Sequence, residues 1–89
     1  MKAIEGFKIR TLGSERILMP EGEQFINFGK IISLNESAAF LWENIQGKEF
    51  TAETLADLLT GEYEVDRETA LKDSEAIAQK WLEAGIVEN

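Results

Sequence analysis

Carboxylates are the most plentiful side chains in this sequence that could do chemistry. The chain has 17 aspartates and glutamates, but it has no histidine and no cysteine. The commonest general base, the commonest transition-metal ligand and the thiolate nucleophile are therefore all missing. What remains are three carboxylate pairs that stand two residues apart: Glu62 with Glu64, Asp66 with Glu68, and Asp73 with Glu75.

The spacing of these pairs favours a solvated surface over a catalytic site. Residues two apart do not face each other on a helix, and charged side chains are mostly exposed. The glycines form no phosphate-binding loop of the P-loop or dinucleotide type. Ser33, Ser37 and Ser74 have no recognisable base beside them in the sequence. We therefore expect a non-catalytic protein that needs no metal and no cofactor.

The stretch 67–84 could bind another molecule rather than transform one. It carries two apolar rows at helical spacing, which are Ala70, Ser74, Ile77, Trp81 and Ala84, and then Leu71, Ala78 and Leu82. Together they make a face wider than one packing stripe requires. One interpretation is a helix laid deep across a sheet. The other is that part of this face lines a groove, beside which a strand edge could accept an extended peptide.

The predicted strands all precede the predicted helices. Apolar and polar residues alternate in Phe7–Leu12 and again around 16–19, which predicts a hairpin that turns at 13–14. The segments 24–28 and 30–34 lie on either side of a glycine. They are either two strands of a second hairpin or one bulged strand.

Capping residues mark three helices. Asn35, Thr51 and Asp66 can each accept hydrogen bonds from the free N–H groups of a first helical turn. They predict helices over about 36–46, 52–62 and 67–84. Gly47 and Gly85 suit the left-handed residue that ends many helices. The first helix has one apolar face, made of Ala38, Leu41, Trp42 and Ile45.

This order of elements predicts an α+β fold in a single domain that spans residues 1–89. Three to four short antiparallel strands form an N-terminal sheet, and three α-helices follow. Residues 86–87 either return as a short strand or simply pack. Strands combined with three helices also suggest a winged helix, a fold that often reads DNA.

The charge distribution argues against nucleic acid as the partner. The formal net charge is −8, and residues 35–89 hold thirteen of the acidic side chains against four basic ones. Affinity for phosphates depends on lysine and arginine, so this helical half would be repelled. An interaction module that docks a protein through its acidic helical surface remains an alternative. The absence of a long apolar stretch leads us to expect a cytoplasmic protein without a membrane partner.

Several stretches, taken in order, resemble the PqqD-like family. Residues 33–43, SLNESAAFLWE, resemble the LNxxAxxIW entry to the first helix of that family. Further similar stretches are 7–10, 17–20, Gly47, 51–55, 63–66, Asp73 and 85–87. The resemblance implies a winged-helix-like domain that acts as a peptide chaperone. Such a RiPP recognition element binds the leader of a ribosomally made precursor and presents it to a radical S-adenosylmethionine (SAM) enzyme.

The resemblance also implies where the leader binds. In the family it pairs as an added strand at the sheet edge, in a cleft against the third helix. The matching positions here are Lys30, Ile31, Ile32, Ser33 and Leu34 on the edge, and Ala70, Asp73, Ser74, Ile77, Lys80 and Trp81 on the helix. An exposed edge could also pair with a second copy, so we expect a monomer or a weak homodimer.

Overall fold

Short strands lead into three helices, as the sequence predicts. The computed structural model describes residues 1–20 and 32–89, and every structural statement below concerns those residues. The strands are β1 Lys2–Ala3, β2 Phe7–Leu12, β3 Glu15–Pro20, β4 Ile32–Leu34 and β5 Val87–Glu88. The helices are α1 Glu36–Asn44, α2 Ala52–Glu62 and α3 Arg67–Ala84. The predicted α+β fold of strands followed by three helices is confirmed.

Strand β3 lies in the middle of a three-stranded antiparallel sheet. β2 pairs with one of its edges and β4 with the other, where Ile17 faces Ser33 and Leu18 faces Ile32. No described strand pairs with the opposite edge of β4. The predicted strand over 24–28 and the first two residues of the predicted strand over 30–34 lie outside the described residues.

A second sheet joins the two ends of the described chain. β1 pairs antiparallel with β5, and Ala3 faces Val87 in that register. The chain therefore returns as a strand after α3, which decides between the two alternatives left open for 86–87. Nothing in the sequence predicted β1, because a two-residue strand is too short to show a period and its pairing spans almost the whole chain.

Side chains cap all three helices at the predicted residues. The Oδ1 atom of Asn35 accepts from the backbone N–H of Ala38 at 2.8 Å. Thr51 and Thr54 form a reciprocal capping box at the start of α2. Asp66 accepts from the backbone N–H of Thr69 at 3.1 Å. Each cap satisfies donors that the helix itself cannot, and so fixes where the helix begins.

The end of α3 is equally well defined. Gly85 has φ +77°, its N–H donates to Leu82, and the N–H of Ile86 donates to Trp81, both at 3.1 Å. This pair of bonds is the Schellman arrangement, which favours glycine at the left-handed position. α1 ends at Asn44, two residues before the predicted end, where the chain enters a turn.

Aromatic rings hold the centre of the core. The rings of Trp42 and Trp81 pack edge to face with centroids 5.2 Å apart, and Phe50 meets Trp81 in the same way at 6.2 Å. All three side chains are buried. The predicted buried face of the first helix is confirmed, with Ala38, Leu41, Trp42 and Ile45 at 8% exposure or less. These contacts lock α1 against α3.

Gly61 offers a direct test of helix stability in α2. It is exposed, and no atom lies within 4 Å of where a Cβ would stand. We expect Gly61→Ala to raise the free energy of unfolding by about 0.5 kcal/mol, because alanine loses less conformational freedom on folding. Urea unfolding followed by circular dichroism measures the change.

Gly13 is the matched control for this substitution. A Cβ there would also meet open space, but φ is +63°. Gly13→Ala should therefore destabilise the fold by about 1 kcal/mol. Equal effects of the two substitutions would show that backbone conformation does not govern them.

The cap of α3 predicts a contribution to acid stability. The backbone N–H and the hydroxyl of Thr69 donate to Asp66 and lower its pKa below the ordinary value of 3.8. Stabilisation from this carboxylate is present above its unfolded-state pKa and is lost as pH falls through the lower folded-state value. Asp66→Asn still caps the helix but lacks the charge, so stability should be slightly lower at neutral pH and fall less steeply below about pH 4. Urea midpoints measured across that range would refute the assignment if both proteins showed the same slope.

Candidate functional site

A cavity opens where β4, the last strand of the described sheet, leads into α1. Its volume is about 440 Å³. It is lined by Asn35, Ser37, Leu59, Tyr63, Val65, Asp73, Ala76 and Ile77. Asn35 directly follows the last residue of β4, so the strand ends beside the cavity. The remaining walls come from the end of α2, the connection after it, and the middle of α3.

Local structure explains how these walls are held. Asp73 and Ile77 are one helical turn apart on α3, so they point to the same side. Tyr63 lies in the α2–α3 connection, where its carbonyl accepts from the N–H of Val65 at 3.0 Å. The ring of Tyr63 also packs edge to face on Phe40, with centroids 5.8 Å apart. The cavity wall is therefore tied to α1 as well as to α3.

The polar groups of the cavity differ in what they still can bind. The Oδ1 atom of Asn35 already accepts from Ala38 and from the hydroxyl of Ser37, the latter at 3.1 Å. Within the described part of the chain, the carboxylate of Asp73 has neither a hydrogen bond nor an ion pair. No basic side chain is among the described residues that line the cavity. The site thus combines apolar walls with an unpaired carboxylate.

Strand β4 presents its side chains alternately to the two faces of the sheet. Leu34 is buried, Ser33 is exposed, and Ile32 is half-buried. Side chains of neighbouring antiparallel strands lie opposite one another on the same face. Every second side chain of a strand added beside β4 would therefore point to the face of Leu34, where the helices lie.

Comparisons with known proteins identify the family and the fold of this chain. The family model for coenzyme PQQ synthesis protein D, PqqD, matches residues 15–87. The chain belongs to the PqqD family. This confirms the family that the sequence motifs indicated, and it accounts for the sheet and three helices of the fold. No curated protein matches this PqqD-family chain.

Two solved structures share the fold of this PqqD-family chain. One is described as TbiB1 in complex with the TbiA(beta) leader peptide, with a TM-score of 0.75 and 21% identity over 100% of this chain and 96% of that one. The other is described as lasso peptide synthetase B1 complexed with the leader peptide. It has a TM-score of 0.72 and 23% identity over 99% of this chain and 96% of that one. At these sequence identities, the similarity shows a shared fold and no more.

The PqqD-family fold distributes the predicted site residues over three environments. Asp73 and Ile77 line the cavity, while Lys80 is exposed further along α3. Ala70, Ser74 and Trp81 are buried, at 0%, 0% and 3% exposure, and lie within the core of the domain. Ile32, Ser33 and Leu34 form β4, whereas Lys30 and Ile31 lie outside the described residues. The structure thus brings Asn35, the residue that follows β4, together with Asp73 and Ile77, whereas Ile32, Ser33 and Leu34 are not among the described residues that line the cavity.

Several lining residues were not predicted for the site: Asn35, Ser37, Leu59, Tyr63, Val65 and Ala76. Asn35 was interpreted as a helix cap, which it also is. Local patterns cannot show that the end of α2 and the start of α1 converge on α3. A signal existed only for Ala76, which stands three residues after Asp73 and so on the same side of the predicted helix.

The buried hydroxyl of Ser74 is a weak point of the core. Its Oγ atom has no hydrogen-bond partner among the described residues. A buried polar group without a partner costs about 1–3 kcal/mol. We expect Ser74→Ala to raise the free energy of unfolding by about 1 kcal/mol, and urea unfolding measures it.

Ala70, equally buried one turn earlier on α3, is the control. Ala70→Ser adds a second buried hydroxyl and should destabilise by at least about 1 kcal/mol. A clear loss of stability in Ser74→Ala would contradict this view of its hydroxyl.

Within residues 1–20 and 32–89, no helix has the length and apolar character needed to cross a membrane. The same part of the chain contains no group of three or more histidine, cysteine or acidic residues that could hold a metal ion.

Proposed function

We propose that this PqqD-family domain is a non-catalytic peptide-binding module, a RiPP recognition element. It captures the leader of a ribosomally made precursor as an added strand on β4 and presents it to a maturation enzyme. The observation that carries the proposal is an edge strand that ends at a cavity lined by α3. The descriptions of TbiB1 and of lasso peptide synthetase B1, which share this fold, each name a leader peptide in the complex.

The backbone of β4 supports this role. A strand at the edge of a sheet has N–H and C=O groups that no neighbour satisfies, and these can pair with an added strand. Proteins commonly guard such edges with lysine or proline. β2, at the other edge, carries exposed Lys8 and Arg10, whereas Ile32–Leu34 contains no charge and no proline. β4 is therefore the better of the two edges for a peptide.

The cavity supplies the specificity that backbone pairing lacks. Backbone hydrogen bonds give affinity to any extended peptide, and pockets for alternate side chains select among sequences. A volume of about 440 Å³ falls within the range of small-ligand pockets. Leu59, Val65 and Ile77 line it with apolar surface. An apolar side chain of the leader, placed on the face of Leu34, would be buried there.

The enzyme that receives the peptide is proposed to be of the radical SAM type, as the family resemblance implies. Co-purification of this domain with such an enzyme, strengthened by a bound leader, is the expected result. Association that does not depend on a bound leader would contradict presentation as the mechanism.

The acidic helices support a second candidate, a module that docks a basic protein surface. Exposed acidic residues occur along α2 and α3, namely Glu53, Asp57, Glu62, Glu68, Asp73, Glu75 and Glu83. Binding through this surface would weaken steeply with salt, because exposed charges are screened. Binding in the cavity would depend on salt much less.

A scan of backbone N-methylation tests the added strand. Peptides of about 12 residues are first selected from a random phage-displayed library, which supplies a probe without knowledge of the natural leader. Single N-methyl groups then remove one N–H at a time. We expect affinity to fall at alternate positions, since only every second N–H of an edge strand faces its neighbour. Tolerance of methylation at every position, or no selectable peptide, would refute the proposal.

A further inference from the structure

Asp73 is the one charged side chain among the described residues that line the cavity. It is exposed, and it stands one helical turn before Ile77, which contributes apolar surface to the same wall. An unpaired carboxylate beside apolar surface is an unusual feature for a site that must bury a peptide. Among the described residues, no basic side chain forms an ion pair with it.

The nearby basic residues of the chain do not supply that charge. Arg67 pairs with Asp57 on α2. Lys72 is adjacent to Asp73 in sequence and therefore points in another direction on the helix. Lys80 is two turns further along α3 and makes no ion pair with Asp73 in the described structure. The carboxylate thus lines the cavity without a partner among residues 1–20 and 32–89.

The hydroxyl of Ser37 also leaves an acceptor at the cavity, beside the amide N–H donors of Asn35 and the hydroxyl of Tyr63. Ser37 donates its hydroxyl proton to Asn35, so the Ser37 oxygen retains its lone pairs. Together with the Asp73 carboxylate, it presents oxygen acceptors at the rim of an apolar cavity. A lysine or arginine side chain fits such a rim, because its stem is apolar and its tip carries only donors.

We propose that the site selects leader peptides that place a lysine or arginine opposite Asp73. The basic residue stands two positions from the apolar residue that fills the cavity. Alternate side chains of a strand are about 6.6 Å apart, and Asp73 and Ile77 are separated by about 6 Å of helix rise. In a strand that runs along α3, two alternate side chains therefore have the spacing needed to contact Asp73 and Ile77. This inference rests on the proposed peptide-binding function and adds the class of peptide.

The test repeats the peptide selection with charge variants of α3. A random phage-displayed library is selected at roughly 150 mM salt on the folded wild-type domain, on Asp73→Lys and on Glu75→Lys. The Glu75 control changes the same charge two residues away, and its side chain does not line this cavity. Wild type and Glu75→Lys should enrich lysine or arginine two positions from a large apolar residue. Asp73→Lys should enrich aspartate or glutamate at that position instead.

Affinities of individual peptides complete the test. For a selected peptide, Asp73→Asn should weaken binding about 5-fold and Asp73→Lys at least about 10-fold, while Glu75→Lys changes it less than about 3-fold. Peptides that show the alternating N-methyl pattern without a basic preference would overturn this inference alone. Equal effects of the two lysine substitutions would overturn it as well. If no peptide is selected, the proposed function and the inference both fall.

Discussion

Ile77→Glu is expected to weaken binding of a selected peptide by roughly 30- to 150-fold while the domain stays folded. Ile77 is half-buried and lines the cavity one turn from Asp73. Glutamate there removes apolar contact with the peptide. It also adds a second negative charge beside Asp73. Burying the new charge against an apolar peptide side chain is unfavourable, because nothing replaces the water that the charge loses. Fluorescence anisotropy of a labelled peptide measures the loss.

The control for this variant is Gln79→Glu. It adds the same charge to α3 at an exposed residue that does not line this cavity. Binding should change less than about 3-fold, since exposed charges contribute little. Circular dichroism confirms that both variants fold. A similar loss in both would mean that the added charge, and not the cavity, controls binding. The acidic docking module predicts instead that neither added glutamate weakens binding, because its partner is basic.

Trp81→Ala is expected to remove about 3–5 kcal/mol of stability. The side chain is 3% exposed and packs edge to face on both Trp42 and Phe50. Its loss leaves a cavity between α1 and α3 and ends both aromatic contacts. Native domains are stable by about 5–15 kcal/mol, so the variant should lose a large share of its stability. Urea unfolding at low temperature measures the change.

Lys80→Ala is the control on the same helix turn. Lys80 is exposed, so its truncation should alter stability by less than about 0.5 kcal/mol. If Trp81→Ala kept stability within about 1 kcal/mol of wild type, Trp81 would not hold the core. The prediction thus separates a core role of Trp81 from the peptide-contacting role that the family resemblance implied.

The sequence predicted the helices well because their signals are local. Asn35, Thr51 and Asp66 are capping residues that act within four residues of themselves, and Gly85 ends α3 in the same local way. The pairing of β1 with β5 could not be predicted, because it joins residues more than eighty positions apart and rests on two residues in each strand. Local signals therefore predicted the helices, whereas the pairing of β1 with β5 depends on long-range packing.

The candidate site was predicted only in part, because the sequence does not show how deeply each residue of a helix face is buried. Helical spacing places Ser74, Ile77 and Trp81 on one wide face, and it cannot tell which of them lie beneath the surface. In the structure Ile77 reaches the cavity, whereas Ser74 and Trp81 are buried. Tyr63 was not predicted for the site, and it lines the cavity. Its place there follows from the turn between α2 and α3, which has no periodic signal.

Nuclear Overhauser contacts between a bound, selected peptide and the backbone of β4 test the central claim most directly. Antiparallel or parallel pairing places backbone protons of neighbouring strands close together, because the strands lie about 4.8 Å apart. If the leader adds to β4, we expect cross-strand contacts from the peptide backbone to Ile32–Leu34, together with contacts from one apolar peptide side chain to Ile77. Contacts confined to the exposed acidic surface of α2 and α3, with none to β4, would contradict it.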